Sequence, residues 1–193
     1  MEFAHITFRG LAIDDTDVLD RVPSELGNLL RQLNGFIQFH GGFHVRGACH
    51  EPWWHSLRAA WEGDEAFHRL YPQVRAEDVP FAEDCLGDQF LLRGSGVVRL
   101  RAETGESELL GLSFGAFLDR VQKDPVEILT LGPLQRFRDE GGRLEPGQSL
   151  GAYPPFCTKE AAAGVHLAAI PTRERRRFLA AFAARLRGGT EPG

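Results

Sequence analysis

Four of the seven histidines and one of the three cysteines fall within sixteen residues: His40, His44, Cys49, His50 and His55. Imidazole and thiolate are the natural ligands of zinc, copper and nickel. A metal-binding module or metal-dependent enzyme built on His40, His44, Cys49 and His50 is therefore one reading of the chain. The spacing speaks against it. H-x3-H, C-H and H-x4-H match no closed zinc pattern, and Gly41-Gly42 disfavours the helix that would align His40 with His44. On a strand their even separation would place both on one side. Surface or half-buried histidines are the commoner meaning of such a cluster, and no metal or other cofactor is expected.

The acidic run Glu77, Asp78, Glu83, Asp84 and Asp88 is the second candidate. Paired carboxylates can serve hydrolysis, as in glycosidases, but nothing here fixes their geometry. Asp84 before Leu86-Gly87 reads as a turn-former, because Asp bonds nearby backbone amides and Gly takes positive φ. Glu51, Pro52, Trp53 and Trp54 make an aromatic step, followed by Trp61. Neighbouring helical residues lie about 100° apart, so adjacent tryptophans cannot both face a core. Trp54 and Trp61 are expected inside and Trp53 at the surface, where aromatic residues act as binding anchors. The chain contains no P-loop, GxGxxG, GxSxG or HExxH motif.

The elements that must position these groups follow from periodicity. A loosely alternating strand is expected within Glu2–Ile13. Pro23-Ser24-Glu25 opens a helix whose Leu26, Leu29, Leu30 and Leu33 share one face, and Asn34-Gly35 closes it. Phe36–Phe39 and Phe43–Val45 flank Gly41-Gly42 as a hairpin, and a helix is expected over Trp53–Trp61. Val79–Phe81, Gln89–Leu92, Val97–Arg101 and Glu108–Leu110 read as strands, the last two joined by a turn at Glu103–Glu106. Ser113 caps a helix carrying Phe114, Phe117, Leu118 and Val121, and Asp124-Pro125 ends it. A short helix at Leu134–Glu140 and a strand at His166–Ile170 precede a last helix. Thr172 is expected to cap that helix, with Phe178, Leu179, Phe182 and Leu186 as its apolar stripe. Strands in the middle and helices on both sides predict an α+β domain with a mainly antiparallel sheet.

A chain of 193 residues is the size of one domain, 1–193, and needs no disulfide or metal staple. Three widely spaced cysteines without a CxxC fit reduced thiols. No apolar run approaches the length of a membrane span, and the first residues lack a signal-peptide core. A cytoplasmic protein without membrane contact is expected. Against 27 Asp and Glu the chain carries 22 Lys and Arg, a net charge of −5. Residues 172–187 alone hold six Arg and one Glu, so residues 1–171 sum to −9. Such a body repels a phosphate backbone, which argues against nucleic-acid binding, and suits a basic protein partner.

The order of these features resembles the SUKH superfamily, in its Smi/Knr-type branch. The Pro-initiated leucine helix ending in Asn-Gly (Pro23–Gly35) is followed by the Trp-containing segment. Next comes the strand–turn–strand Phe81-Ala82-Glu83-Asp84-Cys85-Leu86-Gly87-Asp88-Gln89-Phe90. The Thr104–Glu106 hairpin tip, the Ser113–Leu118 helix start, the segment 141–150 and Pro154-Pro155-Phe156 complete the likeness. Residues 141–193 resemble the C-terminal extension of longer bacterial members. The resemblance implies a non-enzymatic binding fold. Bacterial members act as immunity proteins that neutralise a toxin, often a nuclease, by direct binding, while fungal members regulate cell-wall assembly through protein contacts. On this reading Glu51, Trp53, Glu77, Asp78, Glu83 and Asp88 are the expected partner-binding residues.

Overall fold

Alternation along the strands divides the residues between two faces of one antiparallel sheet, and each face is covered by helices. The computed structural model describes residues 3–189. Seven strands lie side by side in chain order: β1 (Ile6–Arg9), β2 (Phe36–Gln38), β3 (Phe43–Val45), β4 (Val79–Asp84), β5 (Gln89–Arg93), β6 (Gly96–Leu100) and β7 (Ser107–Leu109). Each pairs antiparallel with the next. A separate antiparallel ribbon joins β8 (Gln148–Tyr153) to β9 (His166–Pro171). It is tied to the rest where Leu150 N–H donates to the Cys85 carbonyl at 2.7 Å. The helices are α1 (Thr16–Arg21), α2 (Ser24–Gln32), α3 (Leu57–Trp61), α4 (Phe67–Leu70), α5 (Phe114–Lys123), α6 (Pro125–Ile128), α7 (Gly132–Asp139) and α8 (Thr172–Arg187). The fold class is α+β. No helix among the described residues is long and apolar enough to cross a membrane.

On one face, Phe36, Phe43, Val45, Phe81 and Phe90 meet Leu26 and Leu30 of α2 and Phe114, Phe117 and Val121 of α5. Phe117 sits at the centre, with ring centroids 4.7 Å from Phe90, 5.7 Å from Phe81 and 6.1 Å from Phe43. Ser113 and Ser56 accept from the third residue of α5 and α3, at 3.3 and 3.1 Å. On the opposite face Leu91, Val98 and Leu100 pack against Phe67 and Tyr71 and against Leu179, Ala180 and Ala183 of α8. Toward β3 and β4 that same face turns polar, with His44, Arg46, Glu83 and Gln89 all buried.

Asn34-Gly35 does more than end α2. Asn34 Oδ1 accepts from Ala48 N–H at 2.7 Å, and its Nδ2 donates to the Leu11 carbonyl at 2.9 Å. Gly35 sits at φ +73°, where a Cβ would lie 2.6 Å from the Val45 carbonyl oxygen, so only glycine fits.

Three local expectations are corrected. The helix after the tryptophans begins only at Leu57, because Ser56 caps it and residues 53–55 form a turn. Thr172 does not cap α8: it is the first helical residue, and its hydroxyl lies 3.1 Å from that of Ser149. The inward stripe of α8 includes Arg175 and Arg176, while Phe178 is exposed. Helix α1 and strand β8 were not anticipated. Only Val18 and Leu19 are buried in α1, too few to set a period.

The turn-forming role of Asp84 is present in the structure. Its Oδ1 accepts from Leu86 N–H at 2.9 Å and Asp88 N–H at 3.1 Å, all within the β4–β5 turn where Gly87 adopts φ +95°. Replacing Asp84 with Ala strands both amides, and the expected loss is about 1–3 kcal/mol in urea unfolding. A variant as stable as the parent would contradict this role.

Candidate functional site

The polar half of the second sheet face is a continuous hydrogen-bonded belt. Register places His44 opposite Glu83 and Glu83 opposite Gln89, so three adjacent strands present these side chains in one row. Arg46, fully buried, donates from Nη2 to Glu83 Oε2 at 2.6 Å and to Gln89 Oε1 at 2.7 Å, and from Nη1 to the Pro80 carbonyl at 2.8 Å. His44 Nδ1 lies 3.0 Å from Glu83 Oε1, and its Nε2 lies 2.9 Å from His55 Nδ1. His55 Nε2 in turn lies 3.0 Å from the Asn34 carbonyl oxygen. Both ring nitrogens of His44 and both oxygens of Glu83 are thus engaged within the protein. His44 and His55 stack, and Trp54 packs against the pair at a tilt, its ring 5.3 Å from each imidazole.

Electrostatics follow from burial. Desolvation pulls the Glu83 carboxyl upward, but Arg46 and His44 outweigh it and hold it well below the usual carboxylate range. Burial pushes His44 down despite Glu83. His55 is pushed down to about 3, first by burial and then by His44. Two neutral rings carry two protons for three contacts, so one contact at a time lacks its proton. Supplying a third would create buried charge, and for His55 desolvation wins.

The acidic residues expected to bind a partner are mostly spent inside. Glu83 is the anchor of this belt. Asp78 is buried and accepts a two-point contact from Arg93, Nε to Oδ1 at 2.8 Å and Nη2 to Oδ2 at 2.7 Å. Asp88 accepts from Arg99 Nη2 at 2.7 Å and from Ala102 N–H at 2.9 Å. These three are corrected from surface contacts to structural ion pairs, because an arginine meets each of them: Arg46 at Glu83, Arg93 at Asp78 and Arg99 at Asp88. Trp53 is half-buried, with the guanidinium groups of Arg176 and Arg173 at 4.5 and 4.9 Å from its ring, so it fastens α8 instead of standing free. Trp54 and Trp61 are half-buried too, not core. Glu51 and Glu77 remain exposed. The six residues do not converge on one surface.

The metal reading loses its ligands. Among the described residues no group of three or more His, Cys, Asp or Glu side chains could hold a metal ion. His40 is exposed on a turn at φ +57°, His44 is bonded to Glu83 and His55, Cys49 is buried, and His50 is exposed beside Asp15.

Two surface features bear on these residues. A cleft of about 790 Å³ opens beside the belt, with His44 and Glu83 in its floor and His40, Arg138, Arg143 and Glu145 among its lining. A second surface surrounds α1. There Asp14, Asp17, Asp20, Glu51 and Glu62, with the buried Asp15 beneath them, are met among the described residues by Arg21, Arg31 and Arg58 as counter-charges. Arg58 is drawn to Asp15, Nε to Oδ2 at 2.5 Å, and Arg21 pairs with Glu62. Asp17 and Asp20 keep 88% and 75% of their side-chain surface exposed. Cys49 beneath them registers the field: burial first, then Asp14, Asp15 and Glu51, raise its thiol to about 12. Sequence reasoning missed this face because its acids are scattered over 14–20, 51 and 62. Comparison of the chain with protein-family models, curated proteins and solved structures finds no match.

A pH dependence follows from the belt. His55 resists protonation in the fold but not in the unfolded chain, where histidine titrates near about 6.5. Stability should therefore be full above that pH and fall as pH drops from about 6.5 toward 3, by up to about 1.4 kcal/mol per pH unit for this one group. Glu83, held anionic, adds a loss of the same sign below about 4.3. Urea unfolding at pH 7 and pH 5 measures it, and His55→Gln should flatten the slope. Stability that does not change between these pH values would mean that the ring takes its proton inside the fold.

Proposed function

We propose that this protein is a non-enzymatic binding domain that captures a basic protein partner, in the manner of the toxin-neutralising immunity proteins its sequence resembles. The observation that carries this reading is the acidic face around α1. Six carboxylates there meet three arginines, so much of the net charge of −5 is concentrated on one side. Leu11, 70% exposed, lies beside it, joined through Asn34, which binds both the Leu11 and Ala48 carbonyls. An apolar residue ringed by charge is the usual composition of a steered interface, where charge sets the rate of encounter and apolar contact the lifetime. The belt around Glu83 supports the same reading from the other side, since its ionisable groups are committed to one another and not to a substrate. The free cysteines Cys49, Cys85 and Cys157 suit the reducing cytoplasm in which such a protein would act.

Co-expression with the products of neighbouring genes, followed by pull-down and a growth-rescue assay, tests the immunity reading. A stable complex with a basic, toxic neighbour is the expected result, and failure to bind or rescue against every neighbouring product would overturn it. With that partner in hand, the pair Asp17→Lys and Asp20→Lys should slow association about tenfold at low salt and flatten its salt dependence. Because both side chains are exposed, stability should change by less than about 0.5 kcal/mol. Unchanged association at low salt would show that the acidic face is only solvated surface.

A further inference from the structure

The outward side of α8 carries a pattern that neither the sheet nor the acidic face at α1 uses. Positions 174, 178, 181 and 185 follow one another at intervals of four, three and four, which draws a single seam along a helix. All four residues, Glu174, Phe178, Ala181 and Arg185, are exposed. Phe178 keeps 42% of its surface open, while Phe182, one turn on, is buried. The two rings stack at 5.9 Å, which holds Phe178 as a ridge on the seam.

The charges at the two ends of the seam have no partner in the chain. The ion pairs of α8 are made by Arg173, Arg175 and Arg177. Glu174 and Arg185 make none among the described residues. They stand about 16 Å apart along the helix, too far to reach each other. The helix dipole favours an acid in the first turn and a base in the last, which accounts for their signs. It does not account for an exposed phenylalanine between them.

Beside Phe178 the ribbon adds an apolar groove of about 490 Å³. Gly151 and Ala168 pair in register there, and Ile170 lies across the glycine, whose Cβ would sit 2.1 Å from Ile170 Cδ1. Tyr153, 74% exposed, and Phe178 are the large side chains that border the groove, and Glu174 borders it too. An exposed ridge, an open groove and two unpaired charges thus share one face.

This face is complementary to itself. When two copies of α8 lie antiparallel about a two-fold axis that crosses midway between Phe178 and Ala181, Glu174 meets Arg185 of the second copy. Phe178 meets the second copy's Ala181, a large residue against a small one, and the two-fold repeats both contacts. Parallel helices would instead set Glu174 against its own copy. We propose that this face docks a second copy of the chain, with α8 packed antiparallel on α8. The C-terminal half of each helix then lies over the Glu174 edge of the other's groove. The contact is independent of the acidic face at α1, so the chain alone suffices to test it.

Sedimentation velocity of the full chain over about 1–100 μM, the range in which a small interface associates, is the measurement. A reversible monomer–dimer equilibrium within that range is expected. Glu174→Arg sets arginine against arginine at both symmetry-related contacts, and Arg185→Glu sets glutamate against glutamate. Each change alone should weaken the dimer about tenfold at low salt, because two attractions become two repulsions. Combining Glu174→Arg with Arg185→Glu restores opposite charges and should recover most of the lost affinity. Both changes oppose the helix dipole, so a mere loss of helix stability would be deepest in the combined variant, where the contact predicts recovery. A chain that stays monomeric up to about 100 μM would overturn the proposal. So would a dimer that the single reversals leave unchanged, or one that the combined variant does not recover.

Discussion

Glu83 is a carboxylate almost wholly withdrawn from water, 5% exposed, and the structure around the second sheet face is what it takes to keep it there. An isolated carboxylate in such a place would be neutralised or expelled. Arg46 prevents this from just past the end of the neighbouring strand β3, at 2.6 Å, and is itself fully buried, so each ion is the other's condition. Truncating one member of such a pair costs several kcal/mol, because the survivor is left charged and alone. Gln89 and His44 fill the remaining lone pairs of the carboxylate. Strand register is thereby specified by polar chemistry, since a shift of one residue in β3, β4 or β5 would turn the row over to the phenylalanine side.

The belt also explains why the chain continues past its sheet. Beyond β7 lie residues that form α7, β8, β9 and α8, and their inner surface is what covers the polar row. Trp53 and Phe67 hold Arg176 between them, and Glu65 draws in both Arg173 and Arg177, at 3.0 and 2.5 Å. Residues 141–189 are therefore not an appendage. They form the second wall of the core, as the contacts of Leu179, Ala180 and Ala183 with Leu91, Val98 and Leu100 make plain.

The α2 and α5 helices and the turn at Asp84 were legible because each rests on a local signal: leucines at helical spacing, a serine cap, an Asp before a glycine. The positions of the charged residues were not. Phe43-His44-Val45-Arg46 alternates apolar with polar, the pattern of a strand with one wet face. Here the second face is dry, because a helix more than a hundred residues later lies across it. Asp78 and Asp88 are withdrawn instead by Arg93 and Arg99, which stand on strands β5 and β6. A carboxylate in a sequence announces charge but not whether an arginine will meet it. That depends on register, which is a tertiary property. The metal reading lacks its ligands for a related reason: His40 and His44 border one cleft, but His44 is engaged by Glu83 and His55, Cys49 is buried and His50 is exposed beside Asp15.

Counting charges along the chain suggests an acidic body with a basic tail, whereas the folded surface distributes them otherwise. Of the six arginines in 172–187, Arg175 and Arg176 are inside, and Arg173 and Arg177 are bound to Glu65. The tail thus presents far less positive charge than its composition implies. The carboxylates of 78, 83 and 88 are likewise withdrawn into pairs. What remains unbalanced outside is the cluster near α1, where Asp17 and Asp20 extend into solvent and the arginines present are too few. Folding has sorted the charges, with arginines drawn inside at the α8 start and surplus anion exposed at α1. A field of that kind acts over about 8–10 Å at physiological salt. It can draw in a basic surface before any atom touches, which is a property neither the net charge nor any single carboxylate would supply.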